Sequence, residues 1–402
     1  MSGPFKAVKI TDKVYWVGAI DWGIRDFHGY RISRGTTYNA YLVLADKITL
    51  IDTVKPPFRA EMMSRIASVI NPKDIRYLIS GHAEMDHSGS LPYIIETVKP
   101  EKIFASTAGV KALQEHFHFD HEITAVKDGE KISLGNRELM FLETRMLHWP
   151  ESMFTYLVED NLLFSQDGFG MHLASNERFD DELDMHILEE EAAKYYANIL
   201  LPYSALVTKL LDRVKAMDLR PDLILPAHGP IWRKGISRII ELYGKWAAQK
   251  PSLKAVVVYD TMWHSTEMMA QAVAEGLTSG GVPTKLMPLS SSHRSNVVAE
   301  LLDAGALLVG SPTLNGNLLP SVADVLTYLK GLKPQNLVGA AFGSYGWADA
   351  AVRQIEEILT SMKIPLVAEG IKVKYVPTND DLSRCVTFGS QVATKLKEQH
   401  VD

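Results

Sequence analysis

The C-terminal part of the chain alternates strictly between strand-like and helix-like segments. From about residue 254, short apolar runs are each followed by a run with helical spacing. The five strand-like runs cover 255–260, 284–289, 306–310, 337–343 and 372–377. The helix-like runs lie near 266–277, 295–305, 323–332 and 349–362, with a fifth at the C-terminus. This alternation predicts a doubly wound parallel five-stranded sheet.

The first part of the chain has a different rhythm. Strand-like runs cover 14–20, 38–54 and 154–167, and the last two read as hairpins that turn at 45–47 and 159–161. Helices are predicted over 58–70 and 188–217. Strands mixed with helices in this way indicate sheet packed on sheet with helices outside.

The two rhythms meet in AAQKPSLK, residues 247–254, where Pro251 marks the break. At 402 residues the chain is also too long for one ordinary core. We therefore predict two domains, 1–250 and 251–402.

Composition limits the chemistry. Because Cys385 is the only cysteine, this chain alone can form neither a disulfide nor a cysteine-rich zinc or iron–sulfur site. Any metal must bind through nitrogen and oxygen. A net charge of −6 without a long basic run disfavours nucleic acid as a partner. Apolar runs shorter than the ~20 residues of a membrane span, and an N-terminus without an apolar core, predict a cytoplasmic protein.

Metal-ligand residues crowd into ISGHAEMDHSGS, residues 79–90. The preceding apolar run predicts a buried strand ending at His82, after which Glu84, Asp86 and His87 follow at once. In an extended chain His82, Glu84 and Asp86 point to one face. Ligands at the end of a strand are held rigidly and stay accessible, which suits a catalytic metal.

Three later segments also end an apolar run in a ligand-type residue. They are ETRMLHWP with His148, LLFSQDGF with Asp167 and LILPAHGP with His228. A lone residue of this kind is usually a hydrogen-bonded turn residue, but four such segments in order indicate a site. Seven ligands exceed the usual four of one zinc ion and suit two metals with a bridging carboxylate. Carboxylate-rich ligation without sulfur favours iron or manganese.

Other histidines are interpreted differently. QEHFHFDH contains His116, His118 and His121, follows a helical run and has no matching partners, so we predict a surface helix end and loop. His28, in RDFHGY, and Tyr195, on the long predicted helix, are candidate catalytic residues beside the metals. For His28 a core histidine is an equal alternative.

Three loops of the second part follow strand ends, where doubly wound sheets bind ligands. The first, TMWHST (261–266), offers the hydroxyls of Thr261, Ser265 and Thr266 and a helix N-terminus to a phosphate. The others are SPTLNGNLLP (311–320) and GSYGWADA (343–350). No glycine pattern or Walker lysine indicates a nucleoside triphosphate. Taken singly, such loops are often only helix caps.

The H-x-E-x-D-H loop resembles the H-x-H-x-D-H loop of the metallo-β-lactamase superfamily, with Glu84 in place of the second histidine. Followed by the His, Asp and His segments and a flavodoxin-like alternation, it resembles the flavodiiron proteins of the rubredoxin:oxygen oxidoreductase type over nearly the whole chain. This implies an α/β protein, with an N-terminal metallo-β-lactamase-like αββα sandwich and a C-terminal flavodoxin-like doubly wound parallel five-stranded sheet.

The resemblance also implies the cofactors, two iron ions and FMN. One iron would bind His82, Glu84 and His148, the other Asp86, His87 and His228, and Asp167 would bridge; some relatives leave the histidine at the His87 position off the metal. The first loop is similar to the phosphate loop of flavodoxins, and the predicted FMN contacts are Thr261, Met262, Trp263, His264, Ser265, Thr266, Ser311, Pro312, Thr313, Leu314, Asn315, Gly316, Ser344, Tyr345, Gly346 and Trp347.

The implied activity is reduction of O₂ to water or of NO to N₂O. Electrons would come from a separate redox protein such as rubredoxin and pass through FMN to the di-iron site. A head-to-tail homodimer, or a dimer of dimers, would bring each flavin to the partner's irons. Two alternatives stay open: a dinuclear zinc hydrolase with a fused flavodoxin-like module, and an electron carrier or redox sensor with a structural metal.

Overall fold

A computed structural model describes residues 3–118 and 120–399. The chain divides into two compact units. The first comprises Met1–His28, Ile32–Tyr195 and Ala205–Gly244, and the second comprises Gly29–Arg31, Tyr196–Ser204 and Lys245–Asp402. Two short segments from the first half of the sequence therefore belong to the unit that the second half forms.

Two mixed sheets form the frame of the first unit. The larger has seven strands in the order Val8–Lys9, Val14–Trp16, Tyr41–Val43, Thr49–Ile51, Tyr77–Ser80, Lys102–Ser106 and Thr124–Val126. The smaller has five in the order Lys131–Ser133, Glu138–Glu143, Met153–Leu157, Leu162–Gln166 and Leu223–Pro226. Both predicted hairpins are confirmed, because Tyr41–Val43 pairs antiparallel with Thr49–Ile51 and Met153–Leu157 with Leu162–Gln166. Ala19–Asp21 and Thr36–Tyr38 form a separate ribbon, and Asp26–Phe27 and Tyr30–Arg31 are the remaining short strands.

The core of the first unit lies between the two sheets. Trp16, Ile79 and Phe104 of the larger sheet pack in one buried cluster with Phe141 and Phe164 of the smaller. A second cluster joins the other face of the larger sheet to helices. The predicted sheet-on-sheet arrangement with outer helices is confirmed.

The α-helices before residue 250 are Arg59–Ala67, Met85–Ser88, Leu91–Val98, Thr107–Phe117, Met185–Tyr195, Ser204–Ala216 and Ile236–Ala248. Short 3₁₀ turns cover Pro56–Phe58, Pro72–Asp74, Asp180–Glu182 and Leu201–Tyr203. The prediction of one helix over 188–217 is wrong. The helix ends at Tyr195, passes through a π-helical turn, Tyr196–Leu200, and resumes at Ser204. Pro202 lies at the break and has no backbone N–H to continue the helical hydrogen bonds.

The second unit contains the predicted parallel sheet. Its strands lie in the order Thr284–Pro288, Ala255–Tyr259, Ala306–Gly310, Val338–Tyr345 and Ile371–Lys374, and all neighbours are parallel. Its helices are Ser265–Ser279, Arg294–Leu301, Pro320–Leu332, Ala350–Ser361 and Asn379–Glu398. The last strand ends at Lys374, earlier than predicted, because Tyr375 adopts a left-handed backbone at φ 59°. Thr313–Leu314 and Asn317–Leu318 form a small hairpin.

Within the two described ranges, no helix combines the length and the apolar character needed to span a bilayer.

Candidate functional site

The predicted ligand loop lies where a buried strand meets a short helix. The strand ends at Ser80, before the predicted end at His82, and the carboxylate of Asp52 accepts the N–H of Gly81 at 2.9 Å. Glu84 is the residue immediately before the helix Met85–Ser88. The expectation that Asp86 shares an extended face with His82 and Glu84 is wrong, because Asp86 lies in that helix.

The other three predicted ligands lie beside the same loop. His148 is in the connection between Glu138–Glu143 and Met153–Leu157. Asp167 and His228 follow the ends of Leu162–Gln166 and Leu223–Pro226. All seven side chains are buried except His148, which is partly exposed.

The seven residues form two adjacent groups, each with the ligand atoms within 4.8 Å of one another. The first group contains His82, Glu84, His148 and Asp167, and the second contains Asp86, His87 and His228. In the first, Glu84 Oε2 lies 3.3 Å from His82 Nε2 and 3.1 Å from His148 Nε2. In the second, His87 Nε2 and His228 Nε2 lie 3.4 and 3.2 Å from the two carboxylate oxygens of Asp86.

Asp167 connects the two groups. Its Oδ2 lies 3.3 Å from His82 Nε2 and 3.4 Å from His148 Nε2. Its Oδ1 lies 3.3 Å from His87 Nε2 and 3.4 Å from His228 Nε2. One carboxylate thus presents one oxygen to each group, which is the arrangement that a bridging ligand between two metals requires.

These residues fit a pair of cations. In the described part of the chain, neither oxygen of Asp86 or Asp167 has a hydrogen-bond partner, although all four are buried. Both ring nitrogens of His87 are likewise buried and have no hydrogen-bond partner among the described residues. Buried carboxylates without donors are strongly destabilising unless a cation compensates them. Nitrogen and carboxylate oxygen are donors that suit iron or manganese.

Closely spaced charges shift the pKa values of the same residues. Burial opposes a charge on His87, but the carboxylates of Asp86 and Asp167 outweigh it and raise its pKa to about 10. The pKa of His148 is likewise raised to about 10, against burial, by Asp167 and Glu84. Burial would raise the pKa of Asp167, yet the neighbouring imidazoles hold it well below its usual value. Protons balance the carboxylates here in the way that metal cations do on binding.

Both candidate catalytic residues lie next to these groups. His28 Nε2 is 3.1 Å from Glu84 Oε1, and 72% of the His28 side chain is exposed. Tyr195 is buried, and its ring centroid lies 6.2 Å from that of His228. Burial, together with the negative charge of Asp167, raises the pKa of the Tyr195 phenol well above its usual value.

The histidines of the segment QEHFHFDH belong to neither ligand group. His116 is exposed near the end of the helix Thr107–Phe117, and His118 follows as its left-handed cap, as predicted. His121 is also exposed. The ring of His116 stacks on Trp149, with the planes 11° apart.

Residues that the sequence did not indicate contact the ring nitrogens of the ligand histidines that face away from the ligand groups. Glu151 Oε1 lies 2.8 Å from His82 Nδ1, and the carbonyl oxygen of Thr37 lies 2.6 Å from His228 Nδ1. The buried ring of His172 has its centroid 4.9 Å from that of His228. Burial and the charge of His228 hold the pKa of His172 well below its usual value, so its imidazole is neutral. The only hint of these contacts in the sequence was that Glu151, a carboxylate, lies three residues after the predicted ligand His148.

In the second unit, a cavity of about 580 Å³ opens among the loops that follow the parallel strands. The predicted contacts that line it are Met262, Trp263, Ser265, Pro312, Thr313, Leu314, Asn315, Ser344, Tyr345, Gly346 and Trp347. Tyr375 and Val376 also line it and were missed, because KVKYVP was interpreted wholly as a strand.

The remaining predicted contacts do not line the cavity. Thr266 is buried and hydrogen-bonds Ser344 Oγ at 2.9 Å, and His264 turns to Glu267, with Nδ1 2.6 Å from its Oε2. The Ser311 hydroxyl donates to the Pro312 carbonyl oxygen, Thr261 lies at the loop start, and Gly316 lies at the hairpin turn.

The cavity fits a flat aromatic group that carries a phosphate. Trp263 is 88% and Trp347 92% exposed, so large ring faces are open at its edge. Aromatic faces of this kind are usually covered by a partner or a ligand. The hydroxyl of Thr261 is buried without a hydrogen-bond partner among the described residues, at the turn that opens the helix Ser265–Ser279. A free hydroxyl beside a helix N-terminus suits a phosphate.

The chain is similar to known proteins in sequence and in fold. A family model described as ODP family beta lactamase matches residues 36–229, and a flavodoxin model matches residues 257–389. A protein named nitric oxide reductase, from Moorella thermoacetica, is 48% identical over 97% of this chain and 99% of its own length. The solved structure of rubredoxin oxygen:oxidoreductase from Desulfovibrio gigas superposes with a TM-score of 0.97 at 45% identity, covering 99% of this chain and 100% of that one.

The solved structure of the flavodiiron protein from Giardia intestinalis gives a TM-score of 0.95 at 34% identity, covering 99% of this chain and 98% of that one. These likenesses extend over both compact units. With the two family models in order and relatives matched over nearly its whole length, the chain belongs to the flavodiiron protein family.

Proposed function

We propose that this protein is an oxidoreductase that reduces O₂ to water and NO to N₂O, with electrons passing through FMN to a non-haem di-iron site. The observation that carries the proposal is Asp167, which presents one oxygen to each of two ligand groups. The names of similar proteins, nitric oxide reductase and rubredoxin oxygen:oxidoreductase, support both gases as substrates.

When bound, FMN supplies the ability to take up electrons singly and hold two, and an iron pair supplies redox-active cations at which a small gas can be reduced. In our assignment His82, Glu84 and His148 hold one iron, and Asp86, His87 and His228 hold the other. Asp167 would offer one oxygen to each iron.

Glu84 distinguishes this site from a hydrolytic zinc pair. It places an anionic oxygen among the imidazoles, 3.1 Å from His148 Nε2. A hard anionic ligand stabilises a more oxidised iron, whereas zinc has no redox chemistry.

Both reductions consume protons, and two residues lie where they can deliver a proton or donate a hydrogen bond. His28 connects solvent to Glu84, because its ring is largely exposed and its Nε2 lies 3.1 Å from Glu84 Oε1. The raised pKa of Tyr195 keeps its phenol protonated, so it remains a hydrogen-bond donor inside the site.

The second unit holds the flavin in our proposal. Trp347 and Tyr345 would flank the ring, and backbone amides of 313–315 would face its polar edge. The turn with Thr261 and Ser265 would hold the phosphate. The exposed rings at the cavity support electron entry from a separate protein such as rubredoxin. We propose a cytoplasmic head-to-tail homodimer, or a dimer of dimers, in which flavin and irons meet across chains.

The test is anaerobic reduction of the purified protein, followed by separate measurement of O₂ and NO consumption and of iron and FMN content. We expect about two irons and one FMN per chain, with turnover of at least one gas. Two zinc ions with ester or lactam hydrolysis would support the hydrolase alternative instead. Iron and FMN present, with neither gas consumed, would support the carrier or sensor.

A further inference from the structure

The carboxylate of Glu151 lies behind a metal-facing histidine. Its Oε1 lies 2.8 Å from His82 Nδ1 and accepts the backbone N–H of Ala83 at 3.1 Å. Glu151 is 4% exposed. One carboxylate therefore contacts both the ring and the backbone of the segment that carries His82.

The backbone of Glu151 is fixed as well. Its carbonyl oxygen accepts the hydroxyl of Ser106 at 2.7 Å. Ser106 in turn caps the helix Thr107–Phe117 by accepting the N–H of Gly109 at 3.0 Å. Because the backbone of Glu151 is tied to a helix terminus, its side chain starts from a fixed point, and the Glu151 carboxylate is positioned before any metal binds.

This contact selects one tautomer of His82. Oε1 of Glu151 already accepts the backbone N–H of Ala83, so it faces His82 as an acceptor as well. The proton of the neutral imidazole must then be on Nδ1. The lone pair on Nε2 is left facing Glu84 and Asp167, each at 3.3 Å.

The negative charge of Glu151 has no partner cation other than His82 among the described residues. No lysine or arginine in the described ranges pairs with it. Glu151 is one of several buried carboxyl groups at the ligand groups, together with Glu84, Asp86, Asp167 and Asp52. Its negative charge offsets part of the positive charge of two divalent cations in a buried site.

We propose that Glu151 is a positioning residue that fixes the metal-facing nitrogen of His82 and adds a negative charge beside the iron site. This inference rests on the proposed function. His87 provides the contrast, because neither of its ring nitrogens has a hydrogen-bond partner among the described residues. Partners that orient a metal-bound histidine typically contribute about 10–100-fold in metal affinity.

The experiment compares Glu151→Leu and Glu151→Gln with the wild-type holoprotein. In Glu151→Leu we expect the resistance of bound iron to a chelator to fall about 10–100-fold while FMN content is unchanged. Glu151→Gln keeps an acceptor oxygen and should retain both irons. Because it removes a negative charge, its iron pair should be easier to reduce, seen as a positive shift of the reduction potential in a redox titration followed by EPR.

Glu191→Gln is the matched control, since Glu191 is also buried but pairs with Arg34 at 3.1 Å. It should leave both readouts unchanged. Wild-type iron retention in Glu151→Leu, or an unshifted potential in Glu151→Gln, would overturn the proposal. If Glu151→Leu does not fold, the potential of Glu151→Gln decides alone. A wild-type protein without iron would instead refute the proposed function.

Discussion

The metal groups and the flavin cavity are built in opposite ways. The metal groups are largely buried, charged and held at the ends of strands and in a four-residue helix. The cavity in the second unit is open, and its largest contributors are the exposed rings of Trp263 and Trp347. One site depends on the chemistry of particular atoms, and the other on shape and on backbone at the ends of strands.

The difference predicts unequal consequences when a site is damaged. Loss of cations leaves buried carboxylates that only protons on the neighbouring imidazoles can balance, and a buried charge left unpaired costs several kcal/mol. Loss of a ligand from the cavity uncovers aromatic faces that already contact solvent, which costs far less. Variants in the metal groups should therefore have larger effects than variants around the cavity.

The largest effect is expected for Asp167→Ala. It removes the one carboxylate that faces both ligand groups, so we expect most iron to be lost and gas consumption to fall more than about 100-fold. FMN content should be unchanged, because the cavity is in the other unit. Iron and FMN analysis with rate measurements checks this, and exposed Asp212→Ala is the control. Full iron content in Asp167→Ala would end the assignment of a bridge.

Asp52 should make stability depend on pH. Burial raises its pKa to about 6, so the folded protein keeps a proton between about pH 4 and 6 that the unfolded chain has released. As pH rises through this window, the free energy of unfolding should fall by about 3 kcal/mol from this group, and no further above it.

Asp52→Asn removes the titration but keeps the contacts. The amide oxygen can still accept from Gly81, and a flipped Gln166 can offer its Oε1, which has no hydrogen-bond partner among the described residues. Urea unfolding at pH 4, 5, 6 and 7 measures the difference between wild type and variant. Parallel pH profiles would show that the buried carboxyl is not protonated in this range.

A smaller effect is expected for Trp347→Ala at the cavity. Aromatic stacking contributes about 0.5–1.5 kcal/mol, so the Kd for FMN should rise up to about 10-fold while iron content is unchanged. Reconstitution of the flavin-free protein with FMN, followed by fluorescence, measures it. Trp22→Ala is the control, because Trp22 is also exposed but lies outside the cavity. Equal losses in both variants would argue against a flavin contact at Trp347.

The smallest effect is expected for His116→Ala. His116 is exposed and outside both ligand groups, so iron content should equal that of the wild type. Loss of its stacking on Trp149 should change stability by no more than about 0.5 kcal/mol. Iron analysis and thermal unfolding check both. Iron loss comparable to that of His82→Ala would mean that the surface histidines bind metal after all.

The metal ligands could be predicted from sequence because few residue types bind metals and each followed an apolar strand. His82, Asp167 and His228 lie within two residues of a strand end, whereas His148 lies five residues after the strand that ends at Glu143. The parallel sheet was predictable for a similar reason, since regular alternation leaves few topologies.

Other features depend on contacts between distant segments and leave no local pattern. Glu151 contacts His82 across 69 positions, and His172 meets Thr36 across 136. The end of the helix at Tyr195 was missed because the apolar spacing continues through Pro202. Tyr375 joins the cavity through a left-handed backbone that the alternation of KVKYVP does not reveal.

The unit that carries the parallel sheet borrows two pieces of chain from the other half of the gene. Asn198, in the borrowed π-helical turn, donates to the Ser295 carbonyl at 3.1 Å and accepts the Tyr328 hydroxyl at 2.9 Å. The Arg294 guanidinium likewise donates to the Gly29 carbonyl at 3.1 Å. Replacing the chain after residue 245 with another flavodoxin-like domain would break these hydrogen bonds, because their partners lie in 29–31 and 196–204. Such an exchange would need compensating substitutions in both of those segments.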